Sequence, residues 1–212
     1  MTDNQQMTNR DAGNNWAEQA MRLFSNQEIN EAQNLCHKAL SEKQDDDQAL
    51  QLLGVIALHQ GEFAEAEQYL DKAVKAVPES AQAWANYGSA LAMQGKSAEA
   101  ETAYARALEK DPYYDQVFIN QGVLFKDQGR YDEAATALNS AVEIRPSAEA
   151  FVCLAEVLTA QERIDDAKTV VQAAANLQPT DRETIADLIR MLSFLGFVEE
   201  AREWGRALEG DG

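Results

Sequence analysis

Proline, cysteine, histidine and positive charge are all scarce in this chain, and each scarcity removes a class of function. Two cysteines, Cys36 and Cys153, form no Cys-x-x-Cys pair. They give no disulfide framework and suit a reducing compartment; both read as small thiols, buried or half-buried. The only histidines, His37 and His59, have no clustered ligand partners, so no metal site and no cofactor are expected. Asp45-Asp46-Asp47 lacks the Asp-x-Asp-x-Asp-Gly spacing of a calcium loop. It reads instead as a helix cap with first-turn charge. Basic residues number 18 against 36 acidic ones, a net charge of -18. Such a surface repels phosphate backbones, so nucleic acid is not an expected partner, and a basic or apolar segment of a protein is.

Long apolar runs are missing too. None approaches the 18 residues of a membrane span, so no membrane insertion is expected. The first fifteen residues, MTDNQQMTNRDAGNN, lack the basic and apolar regions of a secretory signal. A cytoplasmic chain is the expectation, with residues 1–12 as a disordered tail. No nucleophile elbow or phosphate loop occurs, and Gln94-Gly95-Lys96-Ser97 resembles the latter only superficially, because it follows a helical pattern and lacks the first glycine. Catalysis is therefore not expected.

What is present is periodic. The four prolines, Pro78, Pro112, Pro146 and Pro179, are separated by 34, 34 and 33 residues. Glycine keeps the same step in two columns, Gly54, Gly88 and Gly122, then Gly61, Gly95 and Gly129. Alanine does so at Ala66, Ala100 and Ala134, and again at Ala73, Ala107 and Ala141. Self-similarity at this period is the signature of a solenoid.

One unit shows the logic. Trp84, Tyr87, Gly88 and Leu91 share one face of a helix at about 100° per residue. Gly95 stops that helix in the left-handed region. A second helix begins near Ser97, turns Ala100, Tyr104 and Ala107 inward, and ends before Pro112, since the residue before proline avoids the α region. One such pair cannot bury its apolar face alone, so neighbouring units must stack. Gly88 sits inside a helix, where glycine costs about 1 kcal/mol relative to alanine. The cost is expected to be offset by close backbone approach at Gly88 and Ala100.

These columns resemble the tetratricopeptide repeat (TPR) family. The unit 81–114 carries its aromatic, apolar, Gly, Ala, aromatic, Ala and Pro positions at Trp84, Tyr87, Gly88, Ala100, Tyr104, Ala107 and Pro112. Leu50, Leu53, Gly54, Leu70 and Pro78 follow the pattern in the preceding unit, and Phe118, Gly122, Leu138 and Pro146 in the next. Looser flanking units extend it from Trp16 to Ala201. The resemblance implies an all-α solenoid, a right-handed superhelix, of six repeats at about 13–46, 47–80, 81–114, 115–147, 148–181 and 182–212, forming one domain over 13–212. No separate polar capping helix follows residue 209. Trp204 and Leu208 are therefore expected to stay partly exposed, through which the chain self-associates or continues into a longer protein.

The resemblance further implies protein recognition on the concave face lined by each repeat's first helix. Helical geometry selects Gln82, Asn86, Ser89 and Met93 there, opposite Trp84, Tyr87, Gly88 and Leu91. The equivalent positions are Gln48, Leu52, Val55 and His59 in the second repeat and Gln116, Asn120, Val123 and Asp127 in the fourth, with Lys126 beside them. Further on, the column becomes Glu149, Cys153, Glu156, Ala160, Glu183, Asp187, Arg190 and Phe194, an acidic end. Its only cations, Lys126 and Arg190, are too few for the carboxylate clamp of chaperone-binding TPR domains. Asn86 and Asn120 partly echo the amide ladder of O-linked N-acetylglucosamine transferases, although asparagine is common in that column across the family. The expected function is a scaffold or adaptor that binds a peptide or helical segment of a partner. The alternative is the substrate-recognition domain of a larger glycosyltransferase- or methyltransferase-type enzyme.

Overall fold

The computed structural model describes residues 16–210, with side chains to residue 208. The proposed tail at 1–12 lies outside them. The described residues form twelve α-helices and no strand. They belong to two compact units divided after Pro112.

The first unit contains α1 (Trp16–Ser25), α2 (Ile29–Glu42), α3 (Asp47–Gln60), α4 (Phe63–Ala76), α5 (Ala81–Met93) and α6 (Ser97–Lys110). The second contains α7 (Asp115–Asp127), α8 (Tyr131–Ile144), α9 (Ala148–Ala160), α10 (Ile164–Asn176), α11 (Arg182–Phe194) and α12 (Val198–Gly210). Within each unit the helices pack as successive antiparallel-type hairpins, α1 on α2, α3 on α4 and onward. The odd-numbered helices also touch one another, α1 with α3 and α3 with α5, then α7 with α9 and α9 with α11. None of the described helices is long and apolar enough to cross a membrane.

Helix starts follow from short polar side chains. Asp46, Ser80, Ser147 and Asp181 each accept a bond from the backbone N–H three residues on, at Ala49, Ala83, Ala150 and Thr184. Each bond satisfies a donor that the helix leaves unpaired. The Asp45-Asp46-Asp47 run is thus a cap, with Asp46 as the capping residue.

The turn within each hairpin needs a positive φ. Gly95 supplies it at 75°. At the equivalent points of the first and fifth hairpins Gln27 and Glu162 adopt φ of 64° and 61° without being glycine. Helix-end backbone bonds close the turn there as they do at the glycines, Glu28 N–H to Leu23 O and Arg163 N–H to Leu158 O, both at 2.9 Å.

Gly88 is explained by a ring. A Cβ added to it would lie 2.6 Å from two ring carbons of Tyr104. Gly54 and Gly122 leave the same space for Leu70 and Leu138, where an added Cβ would fall 2.4 and 2.5 Å from Cγ. The close approach expected between backbones is therefore a side chain of the second helix laid flat on the first helix of its own hairpin. Tyr104 is fully enclosed, and its hydroxyl donates to Ser89 Oγ at 3.4 Å. Burial pushes its pKa up to about 12. The alanine columns complete the seal, Ala66, Ala100 and Ala134 all having no accessible surface.

Candidate functional site

The odd-numbered helices present the faces expected to bind a partner. In the first unit, Gln48 and His59 of α3 and Gln82 and Met93 of α5 are exposed, Met93 to 58%. Val55, Asn86 and Ser89 are half-buried. The His59 ring stands edge-on to Phe24 with centroids 5.7 Å apart. Two positions are occupied with internal work. Ser89 Oγ donates to Ala85 O at 3.1 Å while accepting from Tyr104. The amide nitrogen of Asn86 is buried and has no hydrogen-bond partner, so a ligand reaches it only after the side chain turns.

Leu52 departs from the expectation. It is buried rather than groove-facing, in a cluster with Ala17, Ala20, Cys36 and Ile56. Packing of α1 against α3 covers that side of the helix, and a single-helix wheel does not know that a neighbour lies there. Cys36 of this cluster is a free thiol whose pKa burial pushes up to about 12.

The second unit differs in chemistry. Gln116 Nε2 donates to Asn120 Oδ1 at 3.3 Å and to Glu149 Oε1 at 3.2 Å. The two amides of α7 are thereby tied to the acid of α9. Next to them opens a cleft of about 890 Å³, lined by Val123 and Lys126 of α7, Glu149, Cys153 and Glu156 of α9, and Glu183, Asp187 and Arg190 of α11. The segments around Pro146 and Pro179, which lead into α9 and α11, also line it.

Glu156 is the hub of this cleft. Lys126 Nζ donates to its Oε2 and Arg190 Nη2 to its Oε1, both at 2.6 Å. Arg190 also pairs with Asp187 at 3.1 Å. Partial burial pushes the Glu156 carboxyl up, but the bonds and charges of Lys126 and Arg190 outweigh it and hold the pKa below the ordinary range. Partial burial likewise pulls the Lys126 ammonium down, and Glu156 outweighs it in the other direction. Both cations are thus engaged by carboxylates already present, Lys126 by Glu156 and Arg190 by Glu156 and Asp187. Sequence reading placed all three residues on the face but not their convergence, because residues 30 and 34 positions apart meet only through hairpin stacking.

Beside the hub, Cys153 is a free, half-buried thiol. Burial first, and the Glu156 charge second, push its pKa up to about 12. A thiol so held stays protonated and is a poor nucleophile. Past Arg190 the wall turns apolar. A hollow of about 300 Å³ lies among Thr159, Ala160, Met191 and Phe194, and Phe194 is 68% exposed. At the last hairpin Trp204 and Leu208 are half-buried, as expected.

Residues 18–80 and 60–115 match one tetratricopeptide repeat model and residues 125–192 match another. Among solved structures, the chain is similar to PilW, a widely conserved type IV pilus biogenesis factor, with a TM-score of 0.76 at 21% identity over 92% of this chain and 91% of that one. It is similar to PilF of Pseudomonas aeruginosa with a TM-score of 0.73 at 19% identity, over 94% and 90% of the two chains. A thermophilic TPR protein of Thermus thermophilus gives 0.74 at 21% identity, over 84% and 97%. At these identities the likeness is one of fold. No curated protein matches the sequence. Helix pairs, glycine and alanine columns and matched models agree, and the chain belongs to the tetratricopeptide repeat family.

Proposed function

We propose that this chain is a scaffold or adaptor that captures a segment of a partner protein on the faces built by the odd-numbered helices. TPR proteins generally mediate protein–protein interaction. The observation that carries the reading is the cleft of about 890 Å³ in the second unit, long enough to run across α7, α9 and α11 and open to solvent. A cleft of that size, lined by charged side chains with Val123, Ala148, Cys153 and Leu177 among them, suits an extended peptide better than a flat surface does. In the first unit the exposed Gln48, His59, Gln82 and Met93 offer amide and apolar contacts of the same kind. The half-buried Val55, Asn86 and Ser89, and Gln116, Asn120, Val123 and Lys126 in the second unit, frame these faces rather than project from them.

Affinity capture with the full chain, followed by mass spectrometry, tests the reading when run beside face variants. Proteins retained by the parent chain are expected to be lost with Gln48→Ala/Gln82→Ala/Met93→Ala or with Glu149→Ala/Glu183→Ala, all at exposed positions. Circular dichroism should remain unchanged. An identical set of captured proteins on both variants would move binding away from these faces.

A further inference from the structure

The second unit joins two surfaces of opposite character at one edge. On one side the cleft gathers five carboxylates, from Glu149, Glu156, Asp181, Glu183 and Asp187, against Lys126 and Arg190. On the other lies the apolar hollow of Thr159, Ala160, Met191 and Phe194, and Glu156 and Arg190 line both. We propose that this edge docks a partner segment in which a lysine or arginine stands next to a large apolar side chain, the cation on Glu149, Glu183 and Asp187 and the apolar group against Phe194. The inference rests on the reading above and names the chemistry of its partner.

Three observations support that occupant. Phe194 closes its helix with most of its ring in solvent. Neighbouring Leu195 is buried in the core cluster of the second unit, so the exposure of Phe194 is not a failure of the core. An aromatic exposed beside a hollow gains from being covered. Next, both cations of the cleft are already bonded to Glu156 at 2.6 Å. A carboxylate- or phosphate-bearing segment would have to break those pairs, while a basic one leaves them intact. Finally, Glu149 and Glu183 are exposed, and the cleft as a whole keeps an excess of negative charge. Charge of this kind chiefly accelerates encounter, and apolar contact chiefly slows departure.

The test uses the full chain as bait for a displayed library of random peptides, with the enriched peptides then synthesised and labelled for anisotropy and stopped-flow measurement. Enriched sequences are expected to place a basic residue beside Leu, Met or Phe. Phe194→Ser is expected to raise Kd roughly tenfold, mostly through faster dissociation. Glu149→Lys/Glu183→Lys is expected to slow association by roughly tenfold at low salt. Glu31→Lys/Asp45→Lys, an equal charge change at exposed sites of the first unit, should leave it nearly unchanged. An equal effect from that control pair overturns the proposal, since the global field alone would then act. Acidic or uncharged peptides that still respond to Phe194→Ser overturn the chemistry and leave the binding face standing. Peptides indifferent to every odd-helix variant, or no enrichment at all, overturn both readings.

Discussion

Each unit repeats the same interior packing, and the two differ on their faces. Gly88 beneath Tyr104 in the first unit and Gly122 beneath Leu138 in the second solve the same packing problem, with an added Cβ meeting 2.6 and 2.5 Å contacts. The faces part company at the very next residue. The position held by Ser89 in the first unit, bonded to Ala85 O and to Tyr104, is Val123 and then Glu156 and Arg190 in successive hairpins of the second. There, the column becomes an ion-paired hub. The repeat frame fixes where the side chains point, and that leaves their chemistry free to diverge on the surface while the glycine and alanine columns stay fixed.

The strongest expected effect probes burial in each unit by pH, at one enclosed thiol and at one half-buried beside the cleft. Cys36 in the first unit and Cys153 in the second both have pKa values pushed from 9.0 to about 12 by burial. Their folded forms hold protons that the unfolded chain gives up near pH 9. The stabilisation is therefore full below that value and lost as pH rises toward 12. For Cys36, fully enclosed, the loss is on the order of several kcal/mol at the upper end, at about 1.4 kcal/mol per pH unit. Denaturation midpoints should fall steeply over this range, and Cys36→Ala/Cys153→Ala should flatten the fall. An equally steep fall in the double variant would mean that folding does not hold these thiols protonated.

Gly88→Ala comes next. Alanine normally stabilises a helix interior by about 1 kcal/mol over glycine, yet here the new methyl meets the enclosed Tyr104 ring. Overpacking is expected to prevail, with a net loss of about 1–3 kcal/mol in chemical denaturation. Ala100→Leu, at a site with no accessible surface, should lose a similar amount. Gly122→Ala should be the milder of the two glycine variants, because Leu138 yields more easily than a ring. Gly205, which has nothing within 4 Å of an added Cβ, supplies the opposite sign: Gly205→Ala should gain about 0.5–1 kcal/mol. A gain at Gly88 would contradict the packing described.

Glu156→Gln separates the faces. It leaves Lys126 and Arg190 without their shared carboxylate, whose side chain is 19% exposed, and should lose about 1–2 kcal/mol at neutral pH. Because the folded pKa of Glu156 is depressed, its contribution is present above the unfolded carboxylate value and disappears as pH falls through the lower folded one. The variant should therefore lose less than the parent chain on acidification. Parallel acid limbs for the two chains would show that the hub adds no net stability.

The smallest expected difference lies between the two asparagines. Asn86→Ala removes a buried nitrogen that has no partner, so stability should hold or rise by up to about 1 kcal/mol. Asn120→Ala removes an oxygen that accepts from Gln116 at 3.3 Å and should lose about 0.5–1 kcal/mol. Equal losses from both, measured by denaturation, would erase this contrast between the faces.

Proline spacing of 34, 34 and 33 and the two glycine columns made the hairpins, their turns and the all-α repeat fold legible in the sequence, because each backbone demand recurs at a fixed step. Legibility ended where the demand was met without its usual residue. At Gln27 and Glu162 the turn keeps a positive φ of 64° and 61° with no glycine to announce it. Gly88 could be recognised as a place of close approach, but its neighbour turned out to be the Tyr104 ring rather than another backbone.

The acidic end of the candidate face was visible as composition, through Glu149, Glu156, Glu183 and Asp187. Its hub was not. By itself the sequence determined the periodic helices, their caps and the small residues at their seams, since those depend on local geometry and on side-chain volume. Only tertiary structure decided that Leu52 is covered, that Lys126 and Arg190 converge on Glu156, and that Phe194 stays in solvent while Leu195 is buried. Those outcomes depend on which helix lies alongside, and the stacking of hairpins sets that beyond the reach of any single-helix pattern.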